Sequence, residues 1–153
     1  QRQMCIRDRN HYFAYGSNMN LDQMMVRCPG SRFMGTALLE NWCYYINGNG
    51  YAGIEKSHGS TVYGCLWDLD KRHWEALDQY EAVAEGYYEK AKIEVKLLPT
   101  LSMTWVWVYL SKNKAYGIPS SSYQKIILQG ARQVGLPMHH IQSLEAWLKE
   151  KKP

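Results

Sequence analysis

The chain has 153 residues, of which 46% are apolar, and a formal net charge of +4. These values favour one folded domain and exclude an intrinsically disordered chain. No stretch approaches the roughly 20 apolar residues of a membrane span, and the positive charges form no stripe that would indicate nucleic-acid binding. Twelve Tyr and six Trp accompany only two Phe, and rings with a polar tip suit a pocket lining as well as a core.

The first nine residues (QRQMCIRDR) differ in character from the rest of the chain. They are polar and aperiodic, and residues 4–9 resemble the translation of a sequencing-adapter end. We therefore expect residues 1–9 to be non-native or disordered, and residues 10–153 to form a single domain. The segment carries half of the formal net charge, which weakens the nucleic-acid interpretation further.

The four cysteines, Cys5, Cys28, Cys43 and Cys65, show neither a CxxC motif nor a Cys/His spacing typical of metal sites. A chain of this size does not need disulfides for stability. We expect reduced cysteines that mostly fill space in the core, no bound metal, and a cytoplasmic location.

The N-terminal half is predicted to consist mainly of strands. Residues 11–15 form a short strand that Gly16 ends, and Asn20 then caps a short helix over residues 21–28. The sequence Asn-Gly-Asn-Gly at residues 47–50 is a strong turn signal. Four further strands are predicted in this half, over residues 32–39, 42–46, 51–56 and 61–67.

The C-terminal half mixes helices and strands. Asp70 caps a helix that runs to about Val83, and Gly135 ends a later helix. Further predicted elements are a strand with one solvent-exposed face over residues 87–98, a central strand covered on both faces over 104–110, and helices over about 121–134 and 138–149. Many strands with few, short helices predict an α+β domain with a mixed, strongly curled sheet.

The strand, turn and helix of residues 11–28 have the order that builds an anion site. We expect Gly16 to adopt a positive φ and to let the backbone approach a ligand. The helix N-terminus after the turn would present unpaired N–H groups to a carboxylate or phosphate. An ordinary tight turn before a capped helix has the same pattern, and the phosphate-loop motif GxxxxGK[ST] is absent.

A second candidate site is a carboxylate on an apolar helix face. The spacing of Trp74, Leu77 and Glu81 places all three on one side of a helix. Burial would raise the pKa of Glu81 into the range useful for general acid–base catalysis. The alternative is a glutamate at a frayed helix end, paired with a Lys or Arg. The neighbouring acids are expected to be solvated: Glu75, Asp78 and Glu85.

Several segments together resemble the γ-glutamylcyclotransferase family. Residues 12–19 (YFAYGSNM) resemble its N-terminal signature, and residues 77–83 (LDQYEAV) its segment with the catalytic glutamate. Tyr88 stands where the family has a pocket tyrosine, and residues 123–137 (YQKIILQGARQVGLP) resemble its C-terminal helix, which begins with a site tyrosine. The motifs occur in the family's order. One departure is Ala82, where the family usually has Gly.

The resemblance implies a small closed, barrel-like sheet flanked by short helices. It also implies a cyclotransferase of glutathione metabolism that converts the γ-glutamyl amide of an amino acid or amine to 5-oxoproline and the free amine, without a cofactor or metal. Glu81 would be the general acid and base. The substrate-binding residues would be Tyr15, Gly16, Ser17, Asn18, Tyr88 and Tyr123.

Other interpretations stay open at this point. One is a non-catalytic module of the same fold that binds a γ-glutamyl or other carboxylate ligand. In such a module a carboxylate on the apolar helix face, Glu81, would destabilise the fold without contributing to function. The sequence does not separate γ-glutamyl amino acids from γ-glutamylamines or a γ-glutamyl natural-product intermediate. We expect no nucleic-acid or membrane partner, and a homodimer is left open.

Overall fold

A closed five-stranded β-barrel forms the centre of the computed structural model, which describes residues 10–149. Its strands are β1 His11–Ala14, β2 Arg32–Ile46, β3 Ala52–Asp68, β4 Tyr88–Leu97 and β5 Met103–Ser111. A 3₁₀ helix over Ser17–Met19 precedes four α-helices, which are α1 Leu21–Arg27, α2 Lys71–Tyr80, α3 Ser121–Gln133 and α4 Met138–Lys149. The expectation for residues 1–9 lies outside the described residues.

The barrel closes through one parallel contact. Its strand order is β1-β3-β2-β4-β5, and each of these neighbouring pairs is antiparallel. β1 and β5 then pair in parallel, with Tyr12 opposite Trp107. The predicted α+β domain with a mixed, curled sheet is therefore confirmed, as is the closure that the family resemblance implies.

The long hairpin of β2 and β3 corrects the strand boundaries. Its turn lies at residues 47–50 as predicted, but the expected breaks near residues 40–41 and 57–60 do not end either strand. Asn41 has φ +67° at a register shift, and its side chain accepts a hydrogen bond of 3.0 Å from the Gly59 N–H. A bulge produces the same local breaker residues as a loop while the ladder continues on both sides.

The outer face of β5 is only partly covered, contrary to the sequence prediction. Tyr109 lies beneath α2, where its hydroxyl donates to Asp78 and its ring contacts Trp74. Trp107 is partly buried, and Trp105 is 49% exposed. α2 has only ten residues, so it shields one end of the strand and leaves the other open.

Cysteine burial agrees with the sequence analysis. Cys28 and Cys65 are buried, Cys43 is partly buried, and all three are free thiols. Burial raises the pKa of Cys28 to about 11, so this thiol stays protonated at neutral pH. Cys5 lies outside the described residues.

Caps at the two ends of α3 confirm that helix's predicted limits. The Ser120 side chain accepts from the Tyr123 N–H at 3.2 Å. At the other end Gly135 has φ +76°, and the Leu136 N–H donates to the Ala131 carbonyl at 3.0 Å. This Schellman closure requires a left-handed residue after the helix, which glycine adopts without steric cost.

The same closure ends α2 at Tyr80, three residues before the predicted Val83. The Val83 N–H donates to the Asp78 carbonyl and the Ala82 N–H to the Gln79 carbonyl, each at 3.0 Å. Ala82 has φ +52°, a conformation that favours glycine. The γ-glutamylcyclotransferase family usually has glycine at this position. Because this chain has alanine, its sequence contains no signal that the helix ends here.

We expect Ala82→Gly to stabilise the fold by about 1 kcal/mol, because a left-handed conformation strains a residue with a Cβ and the entropy of unfolded glycine offsets only part of the relief. Urea unfolding measures the difference. Ala84→Gly is the matched control, since Ala84 is exposed in the same turn and has no positive φ. A variant at position 82 no more stable than this control would contradict the account.

Candidate active site

One pocket of about 300 Å³ brings together all seven residues proposed as site residues from the sequence. We call it the inner pocket. It is lined by Tyr12, Tyr15, Gly16, Ser17, Asn18, Ala52, Glu81, Tyr88, Tyr109 and Tyr123. The proposed residues come from four separate segments, which the barrel, α2 and α3 place around one cavity.

The free N–H groups at this pocket belong to the 3₁₀ turn and not to α1. Among the described residues, the amide N–H groups of Gly16, Ser17 and Asn18 donate no hydrogen bond. The α1 N-terminus is occupied instead, because the Leu21 N–H donates to Gln133 Oε1 at 2.8 Å and the Asn20 side chain caps the helix. The unpaired N–H groups expected at this helix end are thus largely occupied, because the Gln23 N–H also donates to Asn20 Oδ1.

Packing against α3 and β3 holds the 3₁₀ turn in place. Trp67 Nε1–H donates to the Asn18 carbonyl at 2.9 Å, and Asn20 Nδ2 donates to the Ile126 carbonyl at 3.0 Å. A Cβ on Gly130 would lie 2.6 Å from the backbone nitrogen of Asn20. Glycine at position 130 therefore lets the α3 backbone approach the turn closely, which gives the Gly-Ala pair of the sequence motif a physical role.

Gly16 is needed for space and not for its dihedral angle. Its φ is −118°, so the expectation of a positive φ is wrong. A Cβ at this position would lie 3.1 Å from Ala52 Cβ and 3.9 Å from the Tyr123 hydroxyl. Any larger side chain would push the turn away from β3 or fill the inner pocket.

Asn18 connects Glu81 to a network of donors. Its Nδ2 lies 2.9 Å from the Tyr12 hydroxyl and 3.5 Å from Glu81 Oε2, the latter at the long limit of a hydrogen bond. Its Oδ1 accepts from Arg27 Nη1 at 2.9 Å and from Gln23 Nε2 at 3.2 Å. These two donors fix the amide so that its N–H groups face the carboxylate.

Glu81 follows α2 as its C-cap residue and is partly buried at the edge of the inner pocket. Burial raises the pKa of its carboxyl to about 7, opposed by the positive charge of Arg27 and by the contact with Asn18. Glu81 forms no ion pair with any described basic side chain. The structural ion pair considered as an alternative is thus absent from this part of the chain.

Tyr88 and Tyr123 both form hydrogen bonds to the backbone of Ala52. The Tyr88 hydroxyl donates to the Ala52 carbonyl at 2.6 Å, and the Tyr123 hydroxyl accepts from the Ala52 N–H at 3.0 Å. Burial raises the pKa of both phenols above the usual value near 10, so both are neutral. Tyr123 keeps its proton for a ligand, whereas Tyr88 can only accept.

Sequence analysis missed four residues at or beside the site: Tyr12, Arg27, Ala52 and Tyr109. Tyr12 belongs to the quoted motif, but no spacing signal singles out the others. Asp78, expected to be solvated, is only partly so, because its side chain is 36% exposed. It accepts from the Tyr109 hydroxyl at 2.5 Å and pairs with Lys90 at 3.2 Å, which supports the wall of the pocket.

Comparisons with known proteins agree with the fold. Residues 61–144 match the model of the AIG2-like family. The human γ-glutamylcyclotransferase is 31% identical over 88% of this chain and 77% of its own length, and the bovine protein of that name is 29% identical over the same shares. A solved γ-glutamyl cyclotransferase structure superposes with a TM-score of 0.83 at 30% identity, covering 89% of this chain and 86% of that one.

A closed barrel with this pocket and these relatives defines an enzyme of the cyclotransferase class that acts on a small molecule. The chain belongs to the γ-glutamylcyclotransferase family. The alternative of a non-catalytic binding module is therefore set aside. Over residues 10–149 no helix is long and apolar enough to cross a membrane, and no cluster of three His, Cys, Asp or Glu side chains could hold a metal ion.

Proposed function

We propose that this enzyme converts a γ-glutamyl amide to 5-oxoproline and a free amine, with Glu81 as general acid and base. One observation carries the proposal: among residues 10–149, Glu81 is the only carboxylate that lines the inner pocket, and burial raises its pKa to about 7. A group with this pKa can accept and return a proton at neutral pH, which is the property that a general acid–base catalyst needs.

The polarity of the inner pocket suits a glutamyl group. The N–H groups of Gly16, Ser17 and Asn18 would donate to the α-carboxylate and help to polarise the γ-carbonyl oxygen. Tyr123, which retains its proton, would donate to a ligand oxygen. Tyr88 would accept from the α-amine, because its own proton already binds Ala52.

The reaction needs no second substrate, because the attacking amine and the carbonyl belong to the same molecule. The α-amine attacks the γ-carbonyl carbon to form a five-membered ring, and Glu81 takes one proton from that nitrogen. The tetrahedral intermediate then expels the leaving amine as the amide C–N bond breaks, and Glu81 returns the proton to the leaving nitrogen. Holding amine and carbonyl in near-attack geometry supplies several kcal/mol of the barrier reduction.

A panel of γ-glutamyl compounds, assayed for 5-oxoproline release, tests the reaction. We expect release from at least one γ-glutamyl amino acid or amine without added metal or cofactor. The matching α-glutamyl dipeptide is the control, since its amide cannot be reached by the same five-membered ring closure. Release from neither class of compound would contradict the proposal.

The pKa of Glu81 predicts the pH dependence of catalysis. Because the base must be ionised, kcat/KM should rise tenfold per pH unit below about pH 7 and level off above it.

The same pKa predicts how stability depends on pH. Since the raised pKa lets the folded state keep this proton to a higher pH than the unfolded state, the free energy of unfolding should fall as pH rises from 4.5 to about 7. Glu75→Gln, an exposed change on α2, should leave both profiles unchanged, and an acidic limb near pH 4.5 would exclude Glu81 as the base.

Three predictions from the sequence stay untested: a cytoplasmic location, a place in glutathione metabolism and the absence of a nucleic-acid partner. The homodimer stays an open possibility. The site supports a small polar substrate and bears on none of these four.

A further inference from the structure

A second, wider pocket of about 790 Å³ adjoins the inner pocket, and we call it the vestibule. The two cavities share Ser17, Glu81, Tyr88 and Tyr123 as lining residues. The remaining lining residues of the vestibule are Arg27, Tyr51, Tyr80, Ala82 and Tyr87. Glu81 thus stands at the junction. If the glutamyl group fills the inner pocket, the leaving amine that receives the proton of Glu81 must extend into the vestibule.

Of the basic side chains that the structure describes, Arg27 alone lines the vestibule. It forms no ion pair with a carboxylate in the described part of the chain. Its guanidinium donates to Asn18 Oδ1 at 2.9 Å and lies 4.3 Å from the centroid of the Tyr80 ring. These two contacts hold the group in place and leave most of its five N–H donors for a ligand. Such a fixed, unpaired guanidinium suits a carboxylate.

The position of Arg27 relative to Glu81 restricts which carboxylate it can meet. A single side-chain amide, that of Asn18, lies between them, with Oδ1 on the guanidinium and Nδ2 facing the carboxylate. An α-amino acid has its nitrogen and its carboxylate carbon separated by one Cα. A leaving nitrogen beside Glu81 would therefore bring its α-carboxylate within reach of Arg27.

Three exposed tyrosine rings line the vestibule. Tyr51, Tyr80 and Tyr87 are 49%, 55% and 53% exposed. Tyr51 also contacts Tyr123 edge to face, with ring centroids 5.2 Å apart, so its ring continues the wall of the inner pocket. Large exposed aromatic side chains grouped at one cavity indicate a surface that a ligand covers.

We propose that the vestibule is a leaving-group subsite, in which Arg27 binds the α-carboxylate of the departing amino acid and Tyr51, Tyr80 and Tyr87 contact a large, flat side chain. This assignment rests on the proposed function and adds a specificity to it. The enzyme then favours γ-glutamyl derivatives of aromatic α-amino acids over those of small amino acids and over γ-glutamylamines.

Two substrates that differ only in the carboxylate test the role of Arg27. These are γ-glutamyl-phenylalanine and γ-glutamyl-phenethylamine. We expect kcat/KM to be about tenfold or more higher for the first, the effect of a hydrogen-bonded charge pair. Arg27→Gln should bring the ratio close to one. The ratio cancels any effect of Arg27 on the protonation of Glu81, because both substrates use the same carboxylate.

Arg132→Gln is the matched control, since Arg132 is an exposed arginine on α3 that pairs with Glu145. It should keep the wild-type ratio. Circular dichroism checks that Arg27→Gln is folded, and Arg27→Lys, which keeps the charge without the fork of donors, should show an intermediate ratio. Equal kcat/KM values for the two substrates in wild type, or a ratio that Arg27→Gln leaves unchanged, would overturn the assignment.

The aromatic contact has its own test. The ratio of kcat/KM for γ-glutamyl-phenylalanine to that for γ-glutamyl-alanine should exceed one in wild type and fall several-fold in Tyr87→Ala, since one ring contact contributes a few-fold to binding. A ratio that does not fall would overturn the contact with Tyr87. Release of 5-oxoproline at equal rates from all these substrates would overturn the subsite alone, whereas release from none would overturn the proposed function as well.

Discussion

Glu81→Gln should fold, bind a γ-glutamyl ligand and release 5-oxoproline about 10²–10⁴-fold more slowly than wild type, the usual cost of losing general acid–base catalysis. Glutamine keeps the shape of glutamate, and its Oε1 can still accept from Asn18 Nδ2. It cannot take up and return a proton at neutral pH. Stopped assays of 5-oxoproline, calorimetric binding of a non-hydrolysed γ-glutamyl analogue and a thermal melt measure the three properties.

The melt separates catalysis from a structural role. If Glu81 neutralised a buried cation, its replacement would cost about 3–5 kcal/mol, but the described residues contain no such ion pair. Glu85→Gln is the control, because it removes an exposed carboxylate from the turn that follows α2. A folded Glu81→Gln variant with wild-type turnover would exclude Glu81 as the acid–base residue and would overturn the mechanism.

Gly16→Val should abolish detectable turnover, because the side chain has no room. Its Cβ would lie 3.1 Å from Ala52 Cβ, and its methyl groups would reach toward the Tyr123 hydroxyl, which is 3.9 Å from the Cβ position. The 3₁₀ turn would move away from β3, and the N–H groups that we propose as donors to the substrate would move with it. Activity should fall much more than stability, because Gly16 itself is only partly buried.

A compensating change makes this prediction specific. Gly16→Ala adds only the Cβ, so it should lower kcat/KM less than valine does, and Ala52→Gly removes the atom that the new Cβ would contact. The double variant should recover part of the activity that Gly16→Ala loses. If Gly16→Val were as active as wild type, the turn would not contact the substrate. If Ala52→Gly gave no recovery, the close approach to β3 would not be the cause.

Signals carried by neighbouring residues predicted much of this structure. The alternation in β4, the turn at residues 47–50 and the end of α3 at Gly135 each follow from one short segment, whose preference needs no distant partner. The family motifs added the seven proposed site residues, all of which the fold places in one pocket. Alanine at position 82 shows the limit of local signals, because it adopts a left-handed conformation that its residue type does not predict.

Contacts between distant segments decided what remained. The closure of the barrel by β1 and β5, the covered end of β5 and the pairing of Asp78 with Tyr109 depend on residues far apart in the chain. Arg27 is an unremarkable helix residue in the sequence, and only the fold places it between Asn18 and Tyr80 at the mouth of the site. Local preferences arise from the dihedral angles and caps of a few residues, whereas burial, the pKa of Glu81 and the aim of each polar group arise from packing that no short segment encodes by itself.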